Sequence, residues 1–236
     1  MSPAEAVPYL NLLIYGEPGA GKTWLAGTAQ DSKATSPILF LDVEGGTVTL
    51  RKKSSIDVVR IQKIEQIVDV FNTLAADKSG HYKTVVIDSL SELQKLDLRF
   101  CMDEEYNKKP DSVDRDVATL RSWGKSGERM RRIIRAFRDL PMNTIMTSLV
   151  ATEKDENSGV VSFFPMFPGK LRGEVPGYFD IVGLLQAKED RNGETVTRTL
   201  QVAKTQRTIA KDRTSALDPV ITDPTIPSMW EAITKS

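Results

Sequence analysis

The stretch "YGEPGAGKTW", residues 15–24, follows the apolar run "LNLLI" and crowds three glycines and a proline into six positions ahead of Lys22 and Thr23. Glycine at this density lets the backbone curl until successive N–H groups converge on one point, an arrangement that binds anions. Gly16, Glu17, Pro18, Gly19, Ala20, Gly21, Lys22 and Thr23 meet the spacing G-x-x-x-x-G-K-[ST]. In that pattern the loop cradles phosphates, the lysine neutralises the β- and γ-phosphates, and the hydroxyl takes Mg²⁺. The spacing arises by chance in roughly one chain of this length in a hundred. Here it also has its required context. An apolar strand precedes it and "KTWLAGTAQ" reads as a helix after it. Residues 16–23, with Trp24 beside them, are therefore expected to bind ATP with Mg²⁺.

A phosphate loop needs a second acid for the metal. "TVVIDS" supplies one, because an apolar β-branched strand ends in Asp88. An acid at the C-terminal end of a parallel strand faces the crevice where such sheets bind ligands. Thr23 and Asp88 are thus the expected Mg²⁺ residues. Hydrolysis also needs a group that activates water. "LFLDVEGG" ends another strand in Asp42 and Glu44, which two-residue alternation places on one side. Glu44, further out and next to Gly45 and Gly46, is the expected general base. Asp42 is expected to be structural.

Composition narrows the class. The 236 residues are 40% hydrophobic and 27% charged, with 32 basic and 32 acidic side chains, so a nucleic-acid surface would have to be local. Cys101 and His81 are each alone of their type, which excludes an intrachain disulfide and histidine-rich zinc sites. No stretch approaches the ~20 apolar residues of a membrane span. The start lacks a basic n-region, and a cytoplasmic protein is expected.

Strand and helix signals alternate along the chain, which predicts an α/β domain with a mostly parallel central sheet. "IDVVRI" reads as a strand. Ile64, Ile67, Val68, Phe71 and Leu74 form one helical stripe. Residues 101–116 are charged and read as a loop. Residues 117–140 read as a long helix broken near Gly124, with Met130, Ile133, Ile134 and Phe137 on its core face. "NTIMTSLVA" is a further strand. "FDIVGLLQA" and "TRTLQVAKT" flank Asn192-Gly193, a strong turn signal, so a C-terminal antiparallel hairpin is expected. One domain spans residues 1–236, with a core over about 8–215 and a proline-rich, irregular tail over about 218–236.

The phosphate loop, "FLDVEGG" and "VVIDSLSEL", in this order, resemble the RecA-type ATPase core. The glutamate strand and the Walker B strand are the specific matches. Over about residues 8–215 the chain resembles the phage nucleotide-binding family of AAA ATPases that includes the Sak-type single-strand DNA recombinases. The resemblance implies further roles. Ser148 or Thr147, ending "NTIMTS", would sense the γ-phosphate where RecA proteins carry glutamine. Lys211 and Arg213 in "AKTQRTIAKDRT" match a Lys-x-Arg pair that reaches a neighbour's ATP, so the site would form between subunits. The segment over residues 152–176 corresponds to a DNA-gripping loop. Phe163, Phe164 and Phe167 beside Lys170 and Arg172 suit base stacking and phosphate contact, or a hydrophobic plug against the core. The arginines 129, 131, 132, 135 and 138 form either a phosphate-tracking surface or a solvated helix face.

The resemblance implies ATP-dependent binding, annealing or strand exchange on single-stranded DNA, self-association into a ring or filament, and a phage single-strand binding protein as partner. A nucleotide-gated DNA- or protein-binding module and a helicase-like motor share this core and stay open. A small-molecule kinase is disfavoured by an activating glutamate beside the γ-phosphate.

Overall fold

The computed structural model describes residues 9–53, 55–189 and 195–235. Asn192 and Gly193 lie outside these residues. The chain begins with strand β1 (Asn11–Gly16), helix α1 (Lys22–Gly27), strands β2 (Ile38–Asp42) and β3 (Asp57–Arg60), and helix α2 (Ile64–Ala76). Strand β4 (Thr84–Asp88) leads into helices α3 (Leu90–Lys108) and α4 (Leu120–Arg138). Strands β5 (Asn143–Lys154) and β6 (Val161–Pro165) and helix α5 (Leu171–Glu174) follow. Strands β7 (Ile181–Glu189), β8 (Val196–Gln201), β9 (Lys211–Asp212) and β10 (Val220–Thr222) precede helix α6 (Ile226–Lys235).

The sheet runs β10-β8-β7-β1-β5-β4-β2-β3. Its six strands from β7 to β3 are parallel, and β8 and β10 add an antiparallel edge. Strand β5 lies between the phosphate-loop strand β1 and the acid-bearing strand β4. Because the strands are covered on both faces, alternate residues enter two separate cores. Leu13, Tyr15, Val85 and Ile87 face the layer of α2, α3 and α4, while Leu12, Ile14 and Val86 face α1 and α6. The consequence is that β1, β2 and β4 all end at one edge, bringing residues 16–24, Asp42 and Asp88 together.

Four expectations are corrected. Half of residues 101–116 is not loop, since α3 continues to Lys108. Cys101 and Met102 are buried on it, and charged residues are good helix formers. Helix α4 runs unbroken through Gly124. The tail is ordered. Ile226, Met229, Trp230 and Ile233 make one stripe at helical spacing against the second core. Pro227 sits in the first turn, where its missing N–H costs nothing. Val68, assigned to the buried stripe of α2, is 45% exposed. Among the described residues no helix is long and apolar enough to cross a membrane.

Candidate nucleotide site

The loop between β1 and α1 closes on itself. Lys22, 7% exposed, donates from Nζ to the carbonyls of Gly16 and Glu17, both at 2.9 Å. Burial lowers its pKa, opposed by the carboxylates of Glu44, Asp88 and Glu17. Gly21 has φ +100°, a left-handed value that glycine adopts without strain.

Asp88 is 1% exposed at the end of β4. The following helix is capped not by Asp88 but by Ser89, whose side chain accepts from the Glu92 N–H. This leaves the Asp88 carboxylate for the site. Its Oδ2 accepts from Thr23 Oγ1 at 2.7 Å, and its Oδ1 accepts from the Thr147 hydroxyl. Burial raises the Asp88 pKa, against the lowering effect of those two hydroxyls. The Gly46 backbone lies beside both groups: a Cβ there would be in ordinary van der Waals contact with Thr23 Oγ1 at 3.4 Å and Asp88 Oδ2 at 3.7 Å. The donor set is hard oxygen. Thr23 and Asp88 suit Mg²⁺, which usually takes one or two protein ligands and completes its shell with waters and substrate phosphates.

Strand β2 ends at Asp42, so the extended geometry that would align Asp42 with Glu44 stops there. Asp42 turns inward. It accepts from the N–H groups of Gly45 (2.6 Å) and Gly46 (3.3 Å) and from Thr47 Oγ1 (3.0 Å), and it pairs with Arg60 at 2.9 Å. Its role is structural: it shapes the turn that presents Glu44. The Glu44 N–H is fixed on the Asp88 carbonyl at 3.2 Å, and its side chain is exposed. Glu44 opens on a 380 Å³ cleft shared with Pro18, Gly19, Gly21, Lys22, Thr23 and Trp24.

Of the two sensor candidates, β5 turns Thr147 and not Ser148 towards the site. Alternate strand residues point to opposite faces. The Ser148 hydroxyl lies 3.1 Å from that of Ser91 and donates to the Leu149 carbonyl, away from the carboxylate.

Lys211 and Arg213 lie towards the other end of the sheet. Asp212 pairs with Ile181, whose partner on β1 is Leu12, four residues or roughly 13 Å short of Gly16. Both cations point the same way and are engaged. Lys211 donates to the Pro176 carbonyl at 2.9 Å. Arg213 donates to the Gly177 carbonyl at 3.2 Å and pairs with Asp180 at 3.1 Å. Neither is placed at its own chain's cleft.

The aromatic segment is an ordered hairpin of β5 and β6. Phe163 packs against the first core, and Phe167 is 3% exposed, as a plug would be. Phe164 carries the Arg172 guanidinium 5.3 Å above its ring, and Arg172 also pairs with Glu153. Lys170 is exposed. The α4 arginines are largely committed within the chain. Arg129 pairs with the fully buried Asp97, Arg131 with Glu174, and Arg138 with Asp139, while Arg135 stacks on Tyr178. Arg132, 74% exposed in its side chain, is the freest of the five.

One residue of the cleft escaped the sequence. Arg198 of β8 lines it, over Gly21. A lone arginine in an alternating strand reads as an exposed edge residue, so nothing local marks it.

The fold and this cleft together define a P-loop nucleotide-binding domain of the α/β class. A family model described as an AAA domain matches residues 9–214, and the chain belongs to that family. No curated protein matches it. Among solved structures, the flagellar accessory protein FlaH from Methanocaldococcus jannaschii is 11% identical, with a TM-score of 0.49 and coverage of 94% of this chain and 89% of that one. The RadB recombinase is 12% identical, with a TM-score of 0.49 and coverage of 84% of each chain.

Proposed function

We propose that this chain is a Mg²⁺-dependent ATPase whose nucleotide cycle controls binding of single-stranded DNA, in phage recombination. The observation that carries the ATPase reading is the Thr23–Asp88 contact at 2.7 Å beside a cleft shared by Lys22 and Glu44. Thr23 and Asp88 would hold the metal, which would supply charge to shield the phosphates. Lys22 leaves the loop carbonyls for the β- and γ-phosphates. The Glu44 carboxylate accepts a proton from the attacking water. Thr147 steadies Asp88.

The DNA reading draws support from the β5–β6 hairpin. Phe163 borders a second cleft of 290 Å³ against Glu17, Pro18, Gly19 and Ala20, so the hairpin abuts the back of the phosphate loop. Movement of the loop on nucleotide binding would be felt there. Phe164, Lys170 and Arg172 offer a stacking ring and cations on the same hairpin and the turn after it. Lys211 and Arg213 act on a neighbour's nucleotide within a ring or filament, exchanging their present partners for phosphate.

ATP hydrolysis measured across protein concentrations, with and without single-stranded DNA, tests this. Stimulation by DNA with a rate per subunit that climbs with concentration supports it. Hydrolysis indifferent to both removes the DNA and shared-site parts and leaves a self-contained ATPase.

A further inference from the structure

Lys22 stands among three carboxylates, of which Glu44 lines the cleft. Glu17, Glu44 and Asp88 all act on Lys22. A polyphosphate entering such a site needs a second cation, and the pair matched to a neighbour's ATP lies towards the far end of the sheet. Arg198 and Lys22 are the cations among the described residues lining the cleft.

Arg198 is held in place by its backbone. Strand β8 pairs it with Ala187 of β7. On the other side, its N–H donates to Asp223 Oδ1 at 3.1 Å and its carbonyl accepts the Asp223 N–H at 2.7 Å. The side chain then reaches over the phosphate loop. A Cβ at Gly21 would stand 2.7 Å from Arg198 Nε and 3.1 Å from its Cδ, so the arginine stem rests against bare backbone. Its Nε is enclosed and has no hydrogen-bond partner among the described residues. A buried unpaired donor on a cation is costly, and an anion in the cleft would satisfy it.

We propose that Arg198 is a nucleotide-binding residue acting within its own chain, its guanidinium contacting the phosphates of the nucleotide held by Lys22. The proposal rests on the ATPase reading. It makes binding complete in one chain and leaves only hydrolysis to depend on a neighbour.

The test is calorimetric titration of the full chain with ADP and, separately, with adenosine, at several protein concentrations. Arg198→Met keeps the aliphatic stem over Gly21, and Arg198→Gln is a second neutral replacement should the first fold poorly. Losing a charge-assisted bond predicts ADP affinity lower by about tenfold or more, at every protein concentration, with adenosine binding unchanged. Wild-type ADP affinity in either folded variant overturns the proposal. So does an equal loss for adenosine, which would assign Arg198 to the nucleoside, and so does a loss that appears only at high protein concentration, which would make it a neighbour's ligand. Lys22→Ala separates the two levels. Loss of ADP binding there with none in the Arg198 variants sinks this proposal alone, whereas ADP binding that survives Lys22→Ala sinks the ATPase reading itself.

Discussion

The two ends of the parallel sheet use the same residue types differently. At the end where β1, β2 and β4 finish, Lys22, Glu44 and Arg198 face a common cleft, and the Asp88 carboxylate is bonded only to hydroxyls that a metal could displace or share. At the opposite end, a 560 Å³ groove is lined by Arg138, Asp139, Asp180 and Arg213, and there the charges are matched: Arg138 with Asp139 and Arg213 with Asp180. Matched exposed pairs contribute little beyond local order. Charges held close without full partners wait for a ligand. The difference separates the candidate site from a surface groove more sharply than cavity size does, since the paired groove is the larger of the two.

The largest effect that would test this contrast is at Asp88. Asp88→Asn is expected to abolish Mg²⁺-dependent hydrolysis, read as phosphate release. It should also raise the melting temperature. Burial lifts the Asp88 pKa, so the folded protein holds that proton more tightly than the unfolded chain does, and ionisation costs stability as pH rises. Removing the charge removes that cost. Stability unchanged at pH 8 would mean that Asp88 is not strained by its burial.

Next in size is Arg213→Ala. If the far end serves a neighbour, hydrolysis should fall by about a thousandfold in the assembled state. Loss of its exposed pair with Asp180 should barely move the melting temperature. Hydrolysis within twofold of the wild type would leave Arg213 a surface ion pair.

The pH profile follows from both site residues. Without metal the Asp88 carboxyl protonates above the ordinary aspartate range, so Mg²⁺ binding should begin to weaken on acidification at a pH above about 4. On the alkaline side, burial lowers the Lys22 pKa, so phosphate affinity should fade below the usual lysine value of about 10.4. Mg²⁺-dependent ATP turnover against pH would expose a flat profile if either group were elsewhere. The smallest expected effect is Phe164→Ala. Base stacking on one ring predicts single-stranded DNA affinity reduced by about tenfold in a filter-binding or anisotropy titration. No change would return the hairpin to a purely structural role.

How much of this was legible in the sequence depended on whether the chemistry was local. The phosphate loop is eight contiguous residues, and Asp88 ends its own strand, so both were readable. Glu44 was readable as an acid beside two glycines, though the turn that separates it from Asp42 was not. Helix α3 was misread beyond residue 100 because charge resembles loop when the buried Cys101 and Met102 are overlooked. The last helix was hidden by prolines that open it rather than break it. The arginine face of α4 was visible, but its partners Asp97, Glu174 and Tyr178 come from other segments and only folding pairs them. Arg198 was invisible for the same reason. It reaches the loop through the pairing of β7 and β8, and no motif crosses that distance.

The most direct test of the central claim is Glu44→Gln, assayed for Mg²⁺·ATP binding and for phosphate release. The substitution keeps the side chain's shape and removes its ability to accept a proton. The account predicts ATP bound with near wild-type affinity and hydrolysis slowed by about a hundredfold or more. Phosphate release at the wild-type rate would contradict it, and the water-activating group would have to be sought elsewhere than in this cleft.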